Sequence, residues 1–318
     1  MAYRNVLLLG GTGFLGTSVA HLLYKQGCRI TIPTRRRSRT TELTMCPTVE
    51  LVEADVHDEA ALEALLAGKD AVINLIGILH GGHGQPYSKA FAQAHVELPK
   101  KLAAACAKAG VRRLLHVSAL NADPKGPSQY LRSKGDGEIE LHAREEYLDL
   151  TIFRPSVIFG PGDSFLNMFA TMQKFAPVVP LGKPDAAFQP VFVGDVAQVI
   201  AESLQRPEAI GQTYILVGPK QYSLRELVNF AGASVGKQRP VYAQCEVTSR
   251  LLAGVLELMP KPVLSVDNLD SMDIDSVSPN TPLPFGLHAA AVETVAPSYL
   301  SNRNPRGRYD AFRVKAGR

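Results

Sequence analysis

The chain has 318 residues, of which 46% are hydrophobic and 20% are charged, and its formal net charge is +4. A chain of this length can bury a large core in one large domain or two smaller ones, and so small a positive charge gives no reason to expect a nucleic-acid partner. No apolar run approaches the ~20 residues that span a bilayer, and the first predicted strand begins too early for a signal or transit peptide, so we expect a cytoplasmic protein.

The first predicted element is a strand over residues 6–9, an apolar run too short for a helix, and a helical period begins at Leu15. Between the two, Gly10 would supply a tight turn, Gly13 would let the backbone approach a pyrophosphate, and Gly16 would let the helix pack closely on the strand. The spacing fits the commoner G-x-G-x-x-G fingerprint only loosely. Its position between strand and helix favours dinucleotide binding over an ordinary glycine-rich turn. The predicted cofactor-binding residues of this turn are Gly10, Thr12, Gly13, Phe14, Leu15 and Gly16.

Strands and helices then alternate as far as Pro155. The predicted strands are 29–33, 49–53, 71–75, 113–117 and 151–154, and the predicted helices are 58–66, 88–109 and 128–147, with a kink expected at Pro99. This alternation predicts an α/β fold with a doubly wound parallel sheet between two helical layers.

Proline and glycine become frequent after Pro155, and the alternation stops. Segments 191–193, 195–204 and 213–217 are expected to return to the sheet, whereas 223–233, 240–244 and 249–258 suit a smaller α/β unit. We therefore predict a Rossmann-type NAD(P)-binding domain over residues 1–155, completed by about 190–217. A discontinuous substrate or partner domain is predicted over 156–189 and 218–300, followed by a basic, disordered tail over 301–318.

The residues directly after the second strand bear on the choice of dinucleotide. NAD sites usually place an Asp or Glu there, but here a basic run begins and the first acid is Glu42. Guanidinium groups bind a 2′-phosphate that a carboxylate would repel, so Arg35 and Arg36 predict NADP(H) in preference to NAD(H). A basic, solvated loop is the alternative. After the third strand, Asp55 and Val56 are predicted to border the adenine, and a turn or capping role for Asp55 stays open.

Tyr130 and Lys134 lie one turn apart on the helix predicted after the fifth strand. A phenol with its ordinary pKa of ~10 is a poor acid or base near neutral pH. A neighbouring ammonium favours the phenolate, so the pair can exchange a proton with a substrate hydroxyl or carbonyl, and the lysine can also hold the nicotinamide ribose. Y-x-x-x-K alone usually marks a solvated helix face; on this helix of a dinucleotide fold it predicts catalysis.

The glycine triplet, the Tyr130/Lys134 pair and the long second domain resemble the extended short-chain dehydrogenases/reductases. Further segments are similar to an atypical branch that contains the nucleotide-binding accessory subunit of respiratory complex I and its bacterial relatives. These segments are 116–122, 130–134, 137–138, 154–160, 163–167, 189–191, 267–268 and 283–286. The resemblance covers roughly residues 6–277 and implies an NADPH-binding Rossmann domain with a peripheral position near the quinone-reactive arm of that complex.

The resemblance also implies roles for individual residues. The wider superfamily uses Asn, Ser, Tyr and Lys; Tyr130 and Lys134 match, whereas His95 takes the place of the Asn. Ser118, twelve positions before Tyr130, either reaches a substrate oxygen or only borders the cofactor.

Residues at the ends of two further strands complete the predicted cofactor site. Leu75 and Gly77 lie at the end of the fourth strand, and Pro155 and Val157 follow the sixth. Ligands of such folds lie at the carboxyl ends of the strands, so we expect these residues near the cofactor. For Leu75 and Gly77, an ordinary strand-to-loop transition is the alternative.

Other chemistry-bearing residues favour structural roles. His80 and His83 flank two glycines, but a zinc site needs at least three protein ligands, so no metal is predicted and the segment is read as a loop over the active site. Four scattered cysteines form no C-x-x-C pair, which predicts a reduced compartment without a structural disulfide. Asp195 is expected to cap a helix.

Two functions stay open at this point. One is an NADPH-dependent oxidoreductase or epimerase acting on an unidentified small molecule, with a link to quinone metabolism. The other is a protein that holds NADP(H) as a structural ligand and serves as an accessory or assembly partner of a respiratory membrane complex. The incomplete catalytic set favours the second function, and the Tyr130/Lys134 pair with a complete second domain favours the first.

The helix predicted over 249–259 presents a broad apolar face. We expect this face to pack into the core of the second domain. The alternative is contact with lipid or a hydrophobic subunit, assisted by the basic tail, which would make the protein peripheral on the inner face of the cytoplasmic membrane.

Overall fold

The computed structural model describes residues 3–35, 43–257 and 264–301. The chain divides into two compact units. The first contains the chain up to Pro155 together with Val193–Leu216 and Thr281–Leu287, and the second contains Ser156–Phe192, Val217–Asn280 and the chain from His288 onward. Within the described residues, no helix combines the length and the apolar character needed to cross a membrane.

The first unit contains a parallel sheet of seven strands in the order β11-β6-β5-β4-β1-β2-β3. The strands are β1 (Asn5–Leu9), β2 (Arg29–Thr34), β3 (Val49–Glu53), β4 (Ala71–Asn74), β5 (Arg113–Val117), β6 (Asp149–Pro155) and β11 (Gln212–Leu216). The strand order reverses at β1, because β2 and β3 extend the sheet on one side and β4 extends it on the other. This is the doubly wound arrangement of a Rossmann-type fold, so the predicted fold class is confirmed.

Helices cover both faces of this sheet because each presents one apolar stripe to it. They are α1 (Phe14–Lys25), α2 (Glu59–Leu66), α3 (Lys89–Phe91), α4 (Leu98–Ala109), α5 (Gln129–His142) and α7 (Val193–Gln205). Helix α1 packs against α7, while α4 packs against α2 and α5. Buried residues of β1, β4, α2 and α4, including Leu7, Val72, Leu62 and Leu102, form the core between the sheet and one helical layer.

Three helical details differ from the prediction. The helix predicted over 88–109 contains a π-helical segment, Ala92–Glu97, directly before Pro99, whose ring disturbs the preceding turn. Helix α5 ends at His142 instead of continuing to Tyr147, because the backbone then closes tighter turns such as Arg144 N–H to Leu141 O. Asp195 is not an N-cap, since α7 begins at Val193 and places it in the first turn, where it still favours the helix dipole.

The second unit is built from short strands and helices. Its strands are β7 (Ile158–Phe159), β8 (Val179–Gly182), β9 (Ala187–Phe188), β10 (Val191–Phe192), β12 (Tyr222–Ser223) and β13 (Val241–Gln244). Its helices are α6 (Leu166–Phe175), α8 (Leu224–Ser234), α9 (Glu246–Leu256), α10 (Val266–Ser271), α11 (Val292–Val295) and α12 (Pro297–Leu300). The core lies where α6 meets α8, with Phe169 and Leu227 buried. Ser223 and Glu226 form a capping box that starts α8.

The expected burial of the apolar face of α9 is wrong for Leu251 and Val255, whereas Leu252 and Leu256 are half-buried. Leu251 is 71% exposed and Val255 is 58% exposed. The helix contacts the unit through its small residues, with Ser249 and Ala253 buried. A Cβ on Gly182 of β8 would lie 2.8 Å from the Ser249 hydroxyl, so the helix lies close to the strand, while Leu251 and Val255 project away. Leu258 and Met259 lie outside the described residues.

Candidate active site and dinucleotide site

The turn after β1 has the geometry that its glycines predict. Gly10 has a φ of +76°, and the carbonyl oxygen of Gly10 accepts a hydrogen bond from the Gly13 N–H at 3.0 Å. Helix α1 begins at Phe14, and Gly13 has no side chain with which to cap it. The first N–H groups of α1 therefore point toward the carboxyl end of the sheet, where the helix dipole favours a phosphate.

The same turn is too tightly packed for side chains at its glycines. A Cβ on Gly16 would lie 2.1 Å from the carbonyl oxygen of Gly10, and a Cβ on Gly10 would lie 3.2 Å from the carbonyl carbon of Leu75. The turn thus contacts the segment that follows β4, as the neighbouring strands require. Thr12, Phe14 and Leu15 complete the turn and are half-buried.

The residues predicted to bind the 2′-phosphate and to border the adenine follow β2 and β3. Arg35 directly follows β2 and is exposed, whereas Arg36 lies outside the described residues. Asp55 follows β3, and its carboxylate accepts the His57 N–H at 3.0 Å, which is the turn role left open by the sequence. Val56 is half-buried against the core of the first unit.

The end of β4 is fixed by a buried amide. The Oδ1 atom of Asn74 accepts a hydrogen bond from the Ile76 N–H at 3.1 Å. The amide nitrogen of Asn74 therefore faces His116 and donates to its Nδ1 atom, also at 3.1 Å. His116 therefore carries its proton on Nε2, a buried atom with no hydrogen-bond partner among the described residues. These bonds hold the loop of Leu75 and Gly77 in place at the carboxyl end of the sheet.

Tyr130 and Lys134 lie on α5, which Ser128 caps through a hydrogen bond from the Leu131 N–H. The Lys134 side chain is buried, and its ammonium donates to the carbonyl oxygen of Val117 at 3.1 Å. A Cβ on Gly77 would lie 3.1 Å from Lys134 Nζ, so the lysine reaches the loop after β4. Tyr130 is half-buried and packs edge-on against His95, with ring centroids 5.6 Å apart.

His95, which the resemblance placed at the position of the superfamily Asn, links the loop after β4 to α5. The Ile78 N–H donates to its Nε2 at 3.0 Å, so its proton must be on Nδ1, which donates to the Ser133 hydroxyl at 2.8 Å. Ser133 in turn donates to the Tyr130 carbonyl oxygen at 2.9 Å. Sequence reasoning missed Ser133, because a serine inside Y-x-x-x-K carries no signal of its own.

Close packing brings the helix of His95 against α5. A Cβ on Gly137 would lie 2.0 Å from the His95 carbonyl oxygen, so the approach requires glycine there. The contact falls on the π-helical segment, where the wider turn exposes carbonyl groups. Gly137 was a detectable signal, since a glycine within a helix disfavours it unless packing requires one.

Burial determines the charge states of His95, His116 and Lys134. Desolvation, assisted by the Lys134 charge, lowers the pKa of His95 to about 2 and that of His116 to about 3, so both imidazoles are neutral. Desolvation also lowers the pKa of Lys134 to about 8, while the Glu138 carboxylate opposes that fall. The lysine is therefore largely charged at neutral pH and close to titrating.

Ser118 directly follows β5 and is buried. Its N–H donates to the Phe153 carbonyl oxygen at 2.8 Å, and its hydroxyl oxygen has no hydrogen-bond partner among the described residues. An unpartnered buried hydroxyl at the carboxyl end of the sheet fits a site that receives a polar ligand. Together with the open helix terminus of α1, it makes these residues suitable for a dinucleotide.

The last two predicted residues lie in different units. Pro155 ends β6 in the first unit and accepts the Leu120 N–H at 2.9 Å. Val157 belongs to the second unit, where its carbonyl oxygen accepts the Val191 N–H at 3.0 Å and its side chain packs against the core. The described residues contain no group of three or more His, Cys, Asp or Glu side chains that could hold a metal ion.

The parallel sheet, the glycine turn and the Tyr130/Lys134 helix define an extended short-chain dehydrogenase/reductase. The chain belongs to the NAD dependent epimerase/dehydratase family, which it matches over residues 6–218. The family assigned by resemblance is therefore confirmed.

The relatives that this chain resembles include a respiratory subunit from two mammals. The chain is 32% identical over 299 residues to the alpha subcomplex subunit 9 of mitochondrial NADH dehydrogenase (ubiquinone) 1 from Mus musculus, covering 90% of this chain and 75% of the mouse protein. It is 37% identical over 229 residues to the same subunit from Rattus norvegicus, covering 70% of this chain and 59% of the rat protein. The match thus spans less than two thirds of the rat protein.

Among solved structures, the UDP-glucuronic acid 4-epimerase of Bacillus cereus, determined with NAD, superposes with a TM-score of 0.71. The match covers 93% of this chain and 98% of the epimerase at 15% sequence identity. At that identity the likeness establishes the fold alone.

Proposed function

We propose that this chain binds NADP(H) at the carboxyl end of its parallel sheet and uses Tyr130 to exchange a proton with the oxygen of a small substrate. It would thus act as an NADP(H)-dependent oxidoreductase or epimerase. The observation that carries the proposal is the buried ammonium of Lys134, one helical turn from Tyr130. Burying an ammonium costs free energy, and such perturbed groups concentrate at functional sites.

Each part of the nucleotide has matching residues in this proposal. The N-terminus of α1 and the glycine turn hold the pyrophosphate, and Arg35 with Arg36 holds the 2′-phosphate. Asp55 and Val56 border the adenine. Leu75, Gly77, Ser118 and Pro155 border the nicotinamide end.

The proton transfer assigns separate tasks to the residues of α5. When bound, the nicotinamide supplies or removes the hydride. Tyr130 donates its phenolic proton to a carbonyl oxygen during reduction and accepts it from an alcohol during oxidation. Lys134 favours the ionised phenol by its charge and donates to the nicotinamide ribose, while His95 and Ser133 hold the helix backbone at Tyr130.

The proposal is tested by identifying the nucleotide and following its turnover. Native mass spectrometry of the purified protein should reveal NADP(H), and added ketones or quinones should oxidise bound NADPH, followed by the absorbance of the reduced nicotinamide. Quinones are included because the oxidoreductase function carries a link to quinone metabolism. Retention of NADP(H) without turnover on any substrate would count against catalysis.

The second candidate is an accessory or assembly protein of a respiratory membrane complex that keeps NADP(H) as a structural ligand. It is favoured by the names of the mouse and rat relatives. Under this function, removing the nucleotide should lower the unfolding temperature markedly, because a ligand bound only by the folded state stabilises it. Affinity purification should then recover subunits of the complex with the tagged protein.

Nucleotide affinity is expected to fall as the pH rises through about 8. The pKa of Lys134 is lowered to about 8, so the ammonium that bonds the ribose is lost above that pH. A charged hydrogen bond exceeds a neutral one by about 1 kcal/mol, so the affinity should fall roughly five- to tenfold between pH 7 and pH 9. Fluorescence titration with NADPH measures it.

The control for this pH dependence is Lys134→Met, which preserves length and removes the ionisable group. Its affinity should be lower at pH 7 and unchanged across the same interval. A parent protein with constant affinity from pH 7 to pH 9 would contradict a ribose-binding role for Lys134.

Peripheral attachment to an anionic membrane is expected if the exposed face of α9 meets lipid. Leu251 and Val255 project outward, and a basic stretch follows Asn302: Arg303, Arg306, Arg308, Arg313, Lys315 and Arg318. Part of the protein should therefore sediment with membranes at low ionic strength and be released by salt, which screens the basic residues.

Two variants separate the contributions to this attachment. Leu251→Ser combined with Val255→Ser, or truncation after Asn302, should each reduce the sedimenting fraction. Ile139→Ser, at an exposed apolar residue of α5, is the matched control and should leave it unchanged. A parent protein that remains wholly in the supernatant at low salt would exclude membrane attachment.

A further inference from the structure

Three groups near the Lys134 ammonium carry no negative charge that could balance its own. Its ammonium donates to the carbonyl oxygen of Val117, which is neutral. The imidazoles of His95 and His116, on the elements packed against α5, have lowered pKa values and are also neutral. A buried ammonium without a counter-charge tends to lose its proton.

Glu138 supplies the missing negative charge from one turn further along α5. Residues four apart lie on the same face of a helix, so its carboxylate and the lysine share the buried side of α5. The Glu138 side chain is 3% exposed. Its charge raises the pKa of Lys134 and so opposes the effect of burial.

Arg154 holds this carboxylate from the neighbouring strand β6. Its Nε lies 3.0 Å from Oε1 and its Nη2 lies 2.5 Å from Oε2, which is a two-pronged contact. The Arg154 side chain is 33% exposed, so solvent screens it while the carboxylate stays buried. Such two-pronged contacts fix the orientation of the carboxylate.

We propose that Glu138 is a positioning residue that keeps Lys134 protonated at neutral pH, and that Arg154 limits how strongly its charge acts on the lysine. This inference rests on the proposed function, because a charged Lys134 matters for binding the ribose and activating Tyr130. The inference adds Glu138 and its cationic partner Arg154 to the residues that act in the site.

A purely structural contact between α5 and β6 makes a different prediction. If the Glu138–Arg154 pair only joined the helix to the strand, changing either residue would alter stability without a directed change in the titration of Lys134. An electrostatic role requires opposite effects, since one residue carries a negative charge and the other a positive charge.

The test is a direct titration of Lys134 by NMR on the full chain labelled with [6-¹³C]lysine. The ε-carbon resonance of Lys134 is assigned by its loss in Lys134→Met, and its midpoint is followed with pH in the absence of nucleotide. Glu138→Gln, which keeps an oxygen for Arg154, should lower the midpoint by about one pH unit. Arg154→Gln should raise it, because the carboxylate then acts on the lysine alone.

Glu140→Gln is the matched control, a half-buried carboxylate of the same helix that pairs with Arg144. It should leave the Lys134 midpoint unchanged. An unchanged midpoint in Glu138→Gln, or a shift in the same direction in both variants, overturns the proposal. If Glu138→Gln does not fold, the Lys134 midpoint in Arg154→Gln decides by itself: a rise supports the proposal, and an unchanged or lowered midpoint overturns it.

This titration uses neither substrate nor cofactor, so its outcome is independent of turnover. A lowered midpoint in Glu138→Gln without activity in the parent protein would support the electrostatic role and count against catalysis. An active parent whose lysine titrates identically in all variants would support catalysis and overturn the role of Glu138.

Discussion

Replacing Tyr130 with phenylalanine is expected to abolish turnover on any substrate while leaving NADPH binding nearly intact. The substitution removes only the phenolic proton donor and keeps the ring that packs edge-on against His95. Loss of a positioned general acid costs about 10²–10⁴-fold in rate. Steady-state kinetics and fluorescence titration with NADPH measure the two effects separately.

Tyr147→Phe is the control for this substitution, because Tyr147 lies in the same unit, beyond the end of α5, and is 58% exposed. It should keep the parent rate. A Tyr130→Phe protein with full activity would refute the catalytic assignment and favour the structural role of the nucleotide.

Replacing Arg35 and Arg36 together with serine is expected to weaken NADPH binding by roughly 2–4 kcal/mol. Each guanidinium would make a charge-assisted bond of about 1–2 kcal/mol to the 2′-phosphate. NADH lacks that phosphate, so its affinity should change little. Calorimetric titration with both nucleotides measures the difference.

Arg112→Ser serves as the control, because this exposed arginine precedes β5 and so lies at the amino end of that strand, away from the carboxyl end proposed for the nucleotide. It should bind both nucleotides as the parent does. Equal affinity of the parent protein for NADPH and NADH would contradict the proposed preference, whatever the variants do.

Much of the fold could be predicted because its signals are local. The short apolar runs of the central strands are typical of a parallel sheet buried on both faces, and Gly10, Gly13 and Gly16 mark the turn by their position between a strand and a helix. The pairing of Tyr130 with Lys134 likewise needs only the period of a helix. Helix ends were less predictable, as the early end of α5 at His142 illustrates, because competing turns differ little in free energy.

The partners of α5 could not be predicted, because they come from distant parts of the chain. His95 reaches Ser133 across 38 positions, and Arg154 reaches Glu138 from a different strand. Arg154 and Glu138 each lay within a segment that resembled the family, but nothing in either segment indicated that they pair.

The sequence by itself determined the doubly wound sheet, the glycine turn and the position of the Tyr130/Lys134 pair, because each depends on residues within a few turns of one another. Only the tertiary structure decided the charge states of Lys134, His95 and His116, since these depend on their burial and, for Lys134, on the Glu138 carboxylate. The tertiary structure also decided which residues of α9 are exposed. A helical period reveals that an apolar face exists, but the close approach of Ser249 to Gly182 selects which residues are buried.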